Sequence, residues 1–294
     1  MALMEKLFLG IGAMKAGTTW LYSLLETHPQ LCFTPEKEIH FLSHHFSDRK
    51  PLTQEHRQHR ANTRLSRINN LRPERQQMMR AWYEERYLQG APTPSWYGNL
   101  FEKPARASQW NCDFSNLSAL IPSSGWNEIR RDIADQIQAI YILRNPCERL
   151  WSQYKFSHKD DINLEKNDLI KAFLDSDEAT HHSRYCGNID AVRRGLGRDN
   201  VKILIFDDIK TNPEGFLESI ENFLGIKTKH YLDHKNLHKK INQTATNTPP
   251  ESFQHLCRDI TNRELCGLSS RNIRVPDHWT YNAEKSQKHQ NQLR

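Results

Sequence analysis

Several features are missing from this chain of 294 residues. No apolar run approaches the ~18 residues needed to cross a bilayer, so a membrane span is not expected. No CxxC spacing links its six cysteines, Cys32, Cys112, Cys147, Cys186, Cys257 and Cys266. That argues against a disulfide framework or a zinc knuckle and makes a reducing cytoplasm the expected compartment. The first apolar run ends in a glycine-bounded turn rather than a cleavage site, so no secretory leader is expected either. Internal repeats and low-complexity tracts are also lacking.

Hydrophobic residues make up only 37% of the chain, so its core must be concentrated in a few apolar runs. The best strand candidates are residues 6–12, 139–143 and 201–206, all continuously apolar, as suits a parallel sheet covered on both faces. A helix signal follows each. Asn145 can cap a helix opening at Pro146, and Asn212 one opening at Pro213 that stops at Gly225. This alternation predicts an α/β, P-loop-like, three-layer fold in which helices flank a central parallel sheet. One domain is expected over residues 1–284, followed by a polar tail at 285–294. It would carry a basic, mostly helical insert at about 47–106, helical at 73–89 and then loop. That insert reads equally as a solvated excursion or a substrate-recognition element.

The formal net charge of +6 favours anionic ligands such as nucleotide phosphates, acidic glycans or nucleic acid. The stretch Gly12-Ala13-Met14-Lys15-Ala16-Gly17-Thr18-Thr19 shows where such a ligand would sit. It lies between a strand and a helix, where backbone N–H groups from Ala16 to Thr19 would point at one phosphate. The spacing approaches a Walker loop, GxxxxGK[ST], but Thr18 occupies the lysine position and the loop's cation is Lys15. A second element, Arg144-Asn145-Pro146-Cys147-Glu148-Arg149-Leu150-Trp151-Ser152-Gln153-Tyr154, starts at the carboxyl end of a strand, where α/β sheets place ligands. Arg144 and Ser152 can converge there on a phosphate.

Together these motifs resemble those of the sulfotransferases. Lys15-Ala16-Gly17-Thr18-Thr19-Trp20 is similar to the family's 5′-phosphosulfate loop, and Arg144 to Tyr154 to its 3′-phosphate motif, RxPxxRxxSxY. The resemblance extends over residues 201–225, 237–242 and Trp279. It implies transfer of a sulfuryl group from 3′-phosphoadenosine 5′-phosphosulfate (PAPS), with no metal required. Pro35-Glu36-Lys37-Glu38-Ile39-His40-Phe41 resembles the KExHFF segment of heparan sulfate sulfotransferases and their bacterial relatives. In that branch the glutamate is the proposed base, which maps to Glu38, with His40 as its close partner. In an extended segment both side chains would share a face. Phe41-Leu42-Ser43 lacks the branch's following acidic residue. The segment at Trp110 to Ser115 lacks the usual lysine and Pro-x-Tyr ending, so only Asp113 is matched.

The resemblance implies these roles: Lys15, Glu38 and His40 in catalysis, and Lys15, Ala16, Gly17, Thr18, Thr19, Trp20, Arg144, Ser152, Tyr185 and Lys240 in donor binding. The implied acceptor is a hydroxyl, by branch and charge that of a carbohydrate or polysaccharide, with no nucleic-acid partner. His40, His44 and His45 have helical metal-ligand spacing, but no acidic or thiol ligand completes a set. Two other readings stay open. One is a small-molecule kinase or NTPase using Asp207 or Asp208 for Mg²⁺; the other is a non-catalytic nucleotide-binding module.

Overall fold

The computed structural model describes residues 2–101, 109–158, 164, 166–231, 234–237 and 248–280. Its elements run β1 (Met4–Gly10), α1 (Thr18–Leu25), β2 (Leu31–Phe33), α2 (Phe41–Phe46), α3 (Gln54–Leu65), α4 (Pro73–Trp82), α5 (Pro94–Asn99), β3 (Trp110–Asp113), α6 (Ser123–Asp132) and β4 (Ala134–Leu143). They continue with α7 (Pro146–Ser157), α8 (Asn167–Leu174), α9 (Asp177–Ser183), α10 (Tyr185–Leu196), β5 (Val201–Ile205), α11 (Asp208–Thr211), α12 (Pro213–Leu224), α13 (Glu251–Leu256) and α14 (Arg258–Ser269). One sheet forms in the order β2-β3-β1-β4-β5, and β2/β3, β3/β1 and β1/β4 pair in parallel. This is the expected α/β architecture.

Two of the apolar runs became the adjacent inner strands β1 and β4, and the third became the edge strand β5. Leu7, Phe8 and Leu9 of β1 and Ala139 to Leu143 of β4 are almost wholly buried. β4 starts earlier than the apolar run, at Ala134, because its alternating first half pairs with β1 from Met4 onward. β2 and β3 were not anticipated. β2 has only three residues, and β3 carries Asn111 and Asp113 in a stretch that is nonetheless buried throughout. The caps are as expected. Asn145 Oδ1 accepts from the amides of Cys147 (3.0 Å) and Glu148 (3.3 Å), and Asn212 Oδ1 from that of Gly215 (3.0 Å).

The insert differs from its expected form. The helix at 73–89 is α-helical only to Trp82 and continues as a π-helical turn over Tyr83–Tyr87. α3 precedes it, and α5 stands where loop was expected. Its polar composition conceals an aromatic core. Trp82 stacks on Tyr87, Tyr97 stacks on Phe41 of α2, and the Arg57 guanidinium lies over Trp96.

The chain forms two compact units, residues 1–142 with 188–241, and residues 143–187 with 242–294. The second has its own core, in which Leu150, Trp151 and Tyr154 of α7 pack with Ile170 and Phe173 of α8 and Phe253 of α13. The tail expected at 285–294 lies outside the described residues.

Candidate active site

The glycine loop leaves β1 still bonded to β4. Ile11 N donates to Ile140 O (3.1 Å), Ala13 N to Ile142 O (2.9 Å), and Ile142 N to Gly12 O (2.8 Å). The chain then turns through two left-handed residues, Lys15 (φ 67°) and Gly17 (φ 82°). Position 17 requires glycine for conformation and for space. A Cβ there would lie 2.9 Å from Ile209 Cδ1 and 3.0 Å from Phe206 Cε2. Gly17 is also the N-cap of α1, which has neither a side-chain cap nor an acidic residue in its first turn. The first amides of α1 therefore lack an intrahelical acceptor and carry the positive end of the helix dipole. That arrangement suits an anionic group.

Thr18 is buried and Thr19 exposed. The Trp20 indole N–H donates to the carbonyls of Asn236 and Leu237, 3.1 Å each, so this ring anchors α1 to the later segment. Lys239 and Lys240, in the continuation of that segment, lie outside the described residues.

The segment carrying Glu38 is tied to α1 first through Thr34. Tyr22 Oη donates to Thr34 O (2.9 Å), and Thr34 Oγ1 to Glu36 O (2.7 Å). The Glu36 carboxylate is buried, yet it meets Arg60 Nη2 at 2.7 Å, Arg64 Nε at 3.5 Å and the Tyr83 hydroxyl at 2.8 Å. Burial pushes its pKa up, but the two guanidinium groups outweigh that and hold it below the ordinary value.

The adjoining residues form a connected chain. Lys37 Nζ donates to Glu38 Oε1 (2.9 Å) and to Thr18 Oγ1 (3.3 Å), linking the carboxylate to the first residue of α1. His40 Nε2 lies 3.3 Å from Glu38 Oε2, and Asn116 Nδ2 donates to Glu38 Oε1 at 3.4 Å. Glu38 and His40 do meet, but not along an extended segment. His40 adopts φ 60° as the N-cap of α2, and that turn brings its ring back to the carboxylate. Burial raises the Glu38 pKa, but Lys37 foremost, together with His40 and Arg60, outweighs this and leaves it below the ordinary carboxylate value. Burial pulls His40 down to about 4 against the opposing pull of Glu38, so its ring is neutral at pH 7. A neutral ring facing a carboxylate carries its proton on Nε2. Nδ1 is then an acceptor, buried and without a partner among the described residues.

His40 is held in its turn from behind. Its amide donates to Ser115 Oγ (2.9 Å), and that hydroxyl donates to Asp113 Oδ1 (2.5 Å). Tyr97 of α5 donates to the other Asp113 oxygen at 3.0 Å. Burial raises Asp113 to about 6 despite these two hydroxyls. His44 and His45 are engaged elsewhere, His44 Nδ1 accepting from the Leu52 amide (3.2 Å) and the His45 ring stacking on Phe41. Among the described residues, no group of three or more His, Cys, Asp or Glu could hold a metal ion.

In the second unit, Arg144 reaches Glu148 Oε2 through Nη2 (3.1 Å) and Nε (3.3 Å). Ser152 is one helical turn beyond Glu148, on the same face of α7. Tyr185 is fully buried, with its hydroxyl donating to Arg144 O at 2.9 Å. Arg149, also buried, donates to Gln153 Oε1 and to Ser183 Oγ, 2.6 Å each, and so ties α7 to α9.

The sequence motifs assign no role to Lys37, Glu36, Ser115 or Asn116. For Lys37 a signal existed, its place beside Glu38. For the others it did not, because their partners are far away in the chain.

The model of the "Sulfotransferase family" matches residues 8–230, which include the loop, the Glu38 segment and the Arg144 motif. The chain belongs to the sulfotransferase family. A search of curated proteins finds no match. Among solved structures, a sulfotransferase from Alicyclobacillus acidocaldarius is 19% identical with a TM-score of 0.58, over 94% of this chain and 98% of that one. A sulfotransferase domain from the curacin biosynthetic pathway is 14% identical with a TM-score of 0.51, over 100% of this chain and 98% of that one. At these identities the likeness is one of fold. Family membership makes the chain a PAPS-dependent transferase of sulfuryl groups. No described helix is long and apolar enough to cross a membrane.

Proposed function

We propose that this sulfotransferase transfers the sulfuryl group of PAPS to a hydroxyl of a carbohydrate or polysaccharide and releases 3′,5′-ADP. The observation that carries the reading is the link from the uncapped helix at Thr18, through Lys37, to a carboxylate held ionised at Glu38. The amides from Gly17 to Thr19, with Lys15, would bind the sulfonate-bearing 5′ end of the donor, the Ala16 amide being taken by Ala13 O at 3.2 Å. Arg144 would exchange Glu148 for the 3′-phosphate and bind it with Ser152. Tyr185 would act one step removed, by holding the Arg144 main chain. Trp20 would likewise act by fixing the start of α1.

Glu38 accepts the proton of the attacking hydroxyl as the new S–O bond forms. Lys15 stabilises the charge on the bridging oxygen, which keeps the electron pair of the breaking S–O bond as 3′,5′-ADP leaves. The neutral His40 ring fixes the direction of the Glu38 carboxylate. A glycan acceptor is supported by the net charge of +6 and by the Glu38–His40 segment. The reaction would take place in the cytoplasm.

The test is incubation with labelled PAPS and a panel of glycan, lipid-linked sugar, alcohol and tyrosine-peptide acceptors, followed by mass spectrometry. Label on a glycan supports the reading, and label only on another class overturns the acceptor. Thermal melts check the donor. Protection by 3′,5′-ADP is expected, and protection only by ATP with Mg²⁺ would refute it.

A further inference from the structure

We propose that Lys37 is a second catalytic cation, shared between the anionic 5′ end of the donor at Thr18 and the carboxylate of Glu38. This rests on the sulfotransferase reading of the loop. The Lys37 side chain is only 8% exposed, so its ammonium depends on protein or ligand oxygens rather than on water. Among the described residues it has two partners, Glu38 Oε1 at 2.9 Å and Thr18 Oγ1 at 3.3 Å, and an ammonium has three donors. Thr18 is the first residue of α1, where the helix amides collect an anion. An anion there comes within reach of the same ammonium that now holds Glu38.

The anion and Glu38 therefore compete for one cation. Before donor binds, Lys37 lies on Glu38 and holds its carboxylate below the usual range, which makes it a weak base. Once donor binds, part of that positive charge is drawn to the 5′ end. Glu38 then becomes more basic at the moment when there is a sulfonate to attack, and Lys37 adds its charge to the oxygens that the reaction loads.

Calorimetric affinities for 3′,5′-ADP and for adenosine 3′-monophosphate, which lacks the 5′ group, test the proposal in four proteins: wild type, Lys37→Met, Glu38→Gln and the double variant. Lys37→Met should weaken 3′,5′-ADP binding about tenfold and leave adenosine 3′-monophosphate within about twofold. Glu38→Gln removes the competitor and should tighten 3′,5′-ADP about three- to tenfold, a gain that must vanish in the double variant. A purely structural ion pair predicts the opposite sign for Glu38→Gln, or an equal gain with and without Lys37, and either result overturns the proposal. If Lys37→Met fails to fold, Lys37→Gln takes its place, and the sign of the Glu38→Gln effect stands independently. A wild type that does not prefer 3′,5′-ADP over 5′-ADP would instead overturn the donor assignment.

Discussion

The glycine loop at 12–19 and the insert at 54–101 serve the same segment, Glu36 to His40, by different chemistry. The loop works through its main chain, with contiguous residues, two left-handed turns and an uncapped helix start. The insert works through side chains that arrive from far along the chain. Arg60, Arg64 and Tyr83 converge on Glu36, and Tyr97 reaches Asp113, which acts through Ser115 on the His40 amide. The candidate base thus takes its charge environment first from its sequence neighbour Lys37, with a smaller share from Arg60 of the insert, and its position from residues dozens of places away. The two regions should fail differently. Damage to the loop or to Glu38 should slow the reaction in a folded protein, whereas damage to the insert should first loosen the fold.

The largest expected effect is on rate. Glu38→Gln removes the proton acceptor and should lower kcat by roughly 10²–10⁴-fold, with folding stability kept within about 1 kcal/mol. Lys15→Ala should fall in the same rate range, because it removes charge from the bridging oxygen. Steady-state kinetics beside urea denaturation check both, and full turnover of either variant would break the assignment. Arg60→Ala should show the opposite pattern. It leaves the Glu36 carboxylate buried with only Arg64, itself 44% exposed, and Tyr83. The cost should be about 3 kcal/mol of folding stability, with 3′,5′-ADP affinity retained. An unchanged urea midpoint would mean the insert does not brace the segment.

This contrast also explains what was legible in the sequence. A phosphate loop is a local object. Gly17 is marked by its own left-handed φ, and Asn145 and Asn212 cap helices that start beside them, so pattern and structure coincide. The meeting of Glu38 with His40 was legible as part of a short motif, although the left-handed turn at His40 that makes it was not. The insert was not, because Arg60 and Glu36 are 24 residues apart, and Tyr83 and Glu36 47 apart. No periodicity marks an arginine that will turn inward, and its charge reads as a solvated face. β3 escaped for a related reason. Its polar residues are buried because they have work inside, Asp113 receiving two hydroxyls, and an apolar-run criterion passes over such a strand.

Smaller effects probe the far end of the bracing. Tyr97→Phe removes one hydrogen bond to a buried carboxyl and should cost about 1–2 kcal/mol, more at pH 8 than at pH 5, because the ionised form depends more on the donated proton. Asp113→Asn tests the titration itself. The folded pKa of Asp113 is raised to about 6 from an ordinary 3.8, so between those values the folded state keeps a proton that the unfolded state has released. The stabilisation from this group is therefore complete below the unfolded value and is lost as pH rises through the folded one. Between pH 5 and pH 8 the wild type should lose about 1 kcal/mol relative to the asparagine variant, measured as the difference of two urea curves at each pH. Taking the difference removes Glu38 and His40, which titrate in both proteins and whose depressed values act in the opposite direction, costing stability as pH falls. A flat difference across that range, together with a Tyr97→Phe cost that is as large at pH 5 as at pH 8, would mean that Asp113 is ionised throughout. The insert would then hold His40 through a permanent charge, as it holds the other end of the segment through Glu36.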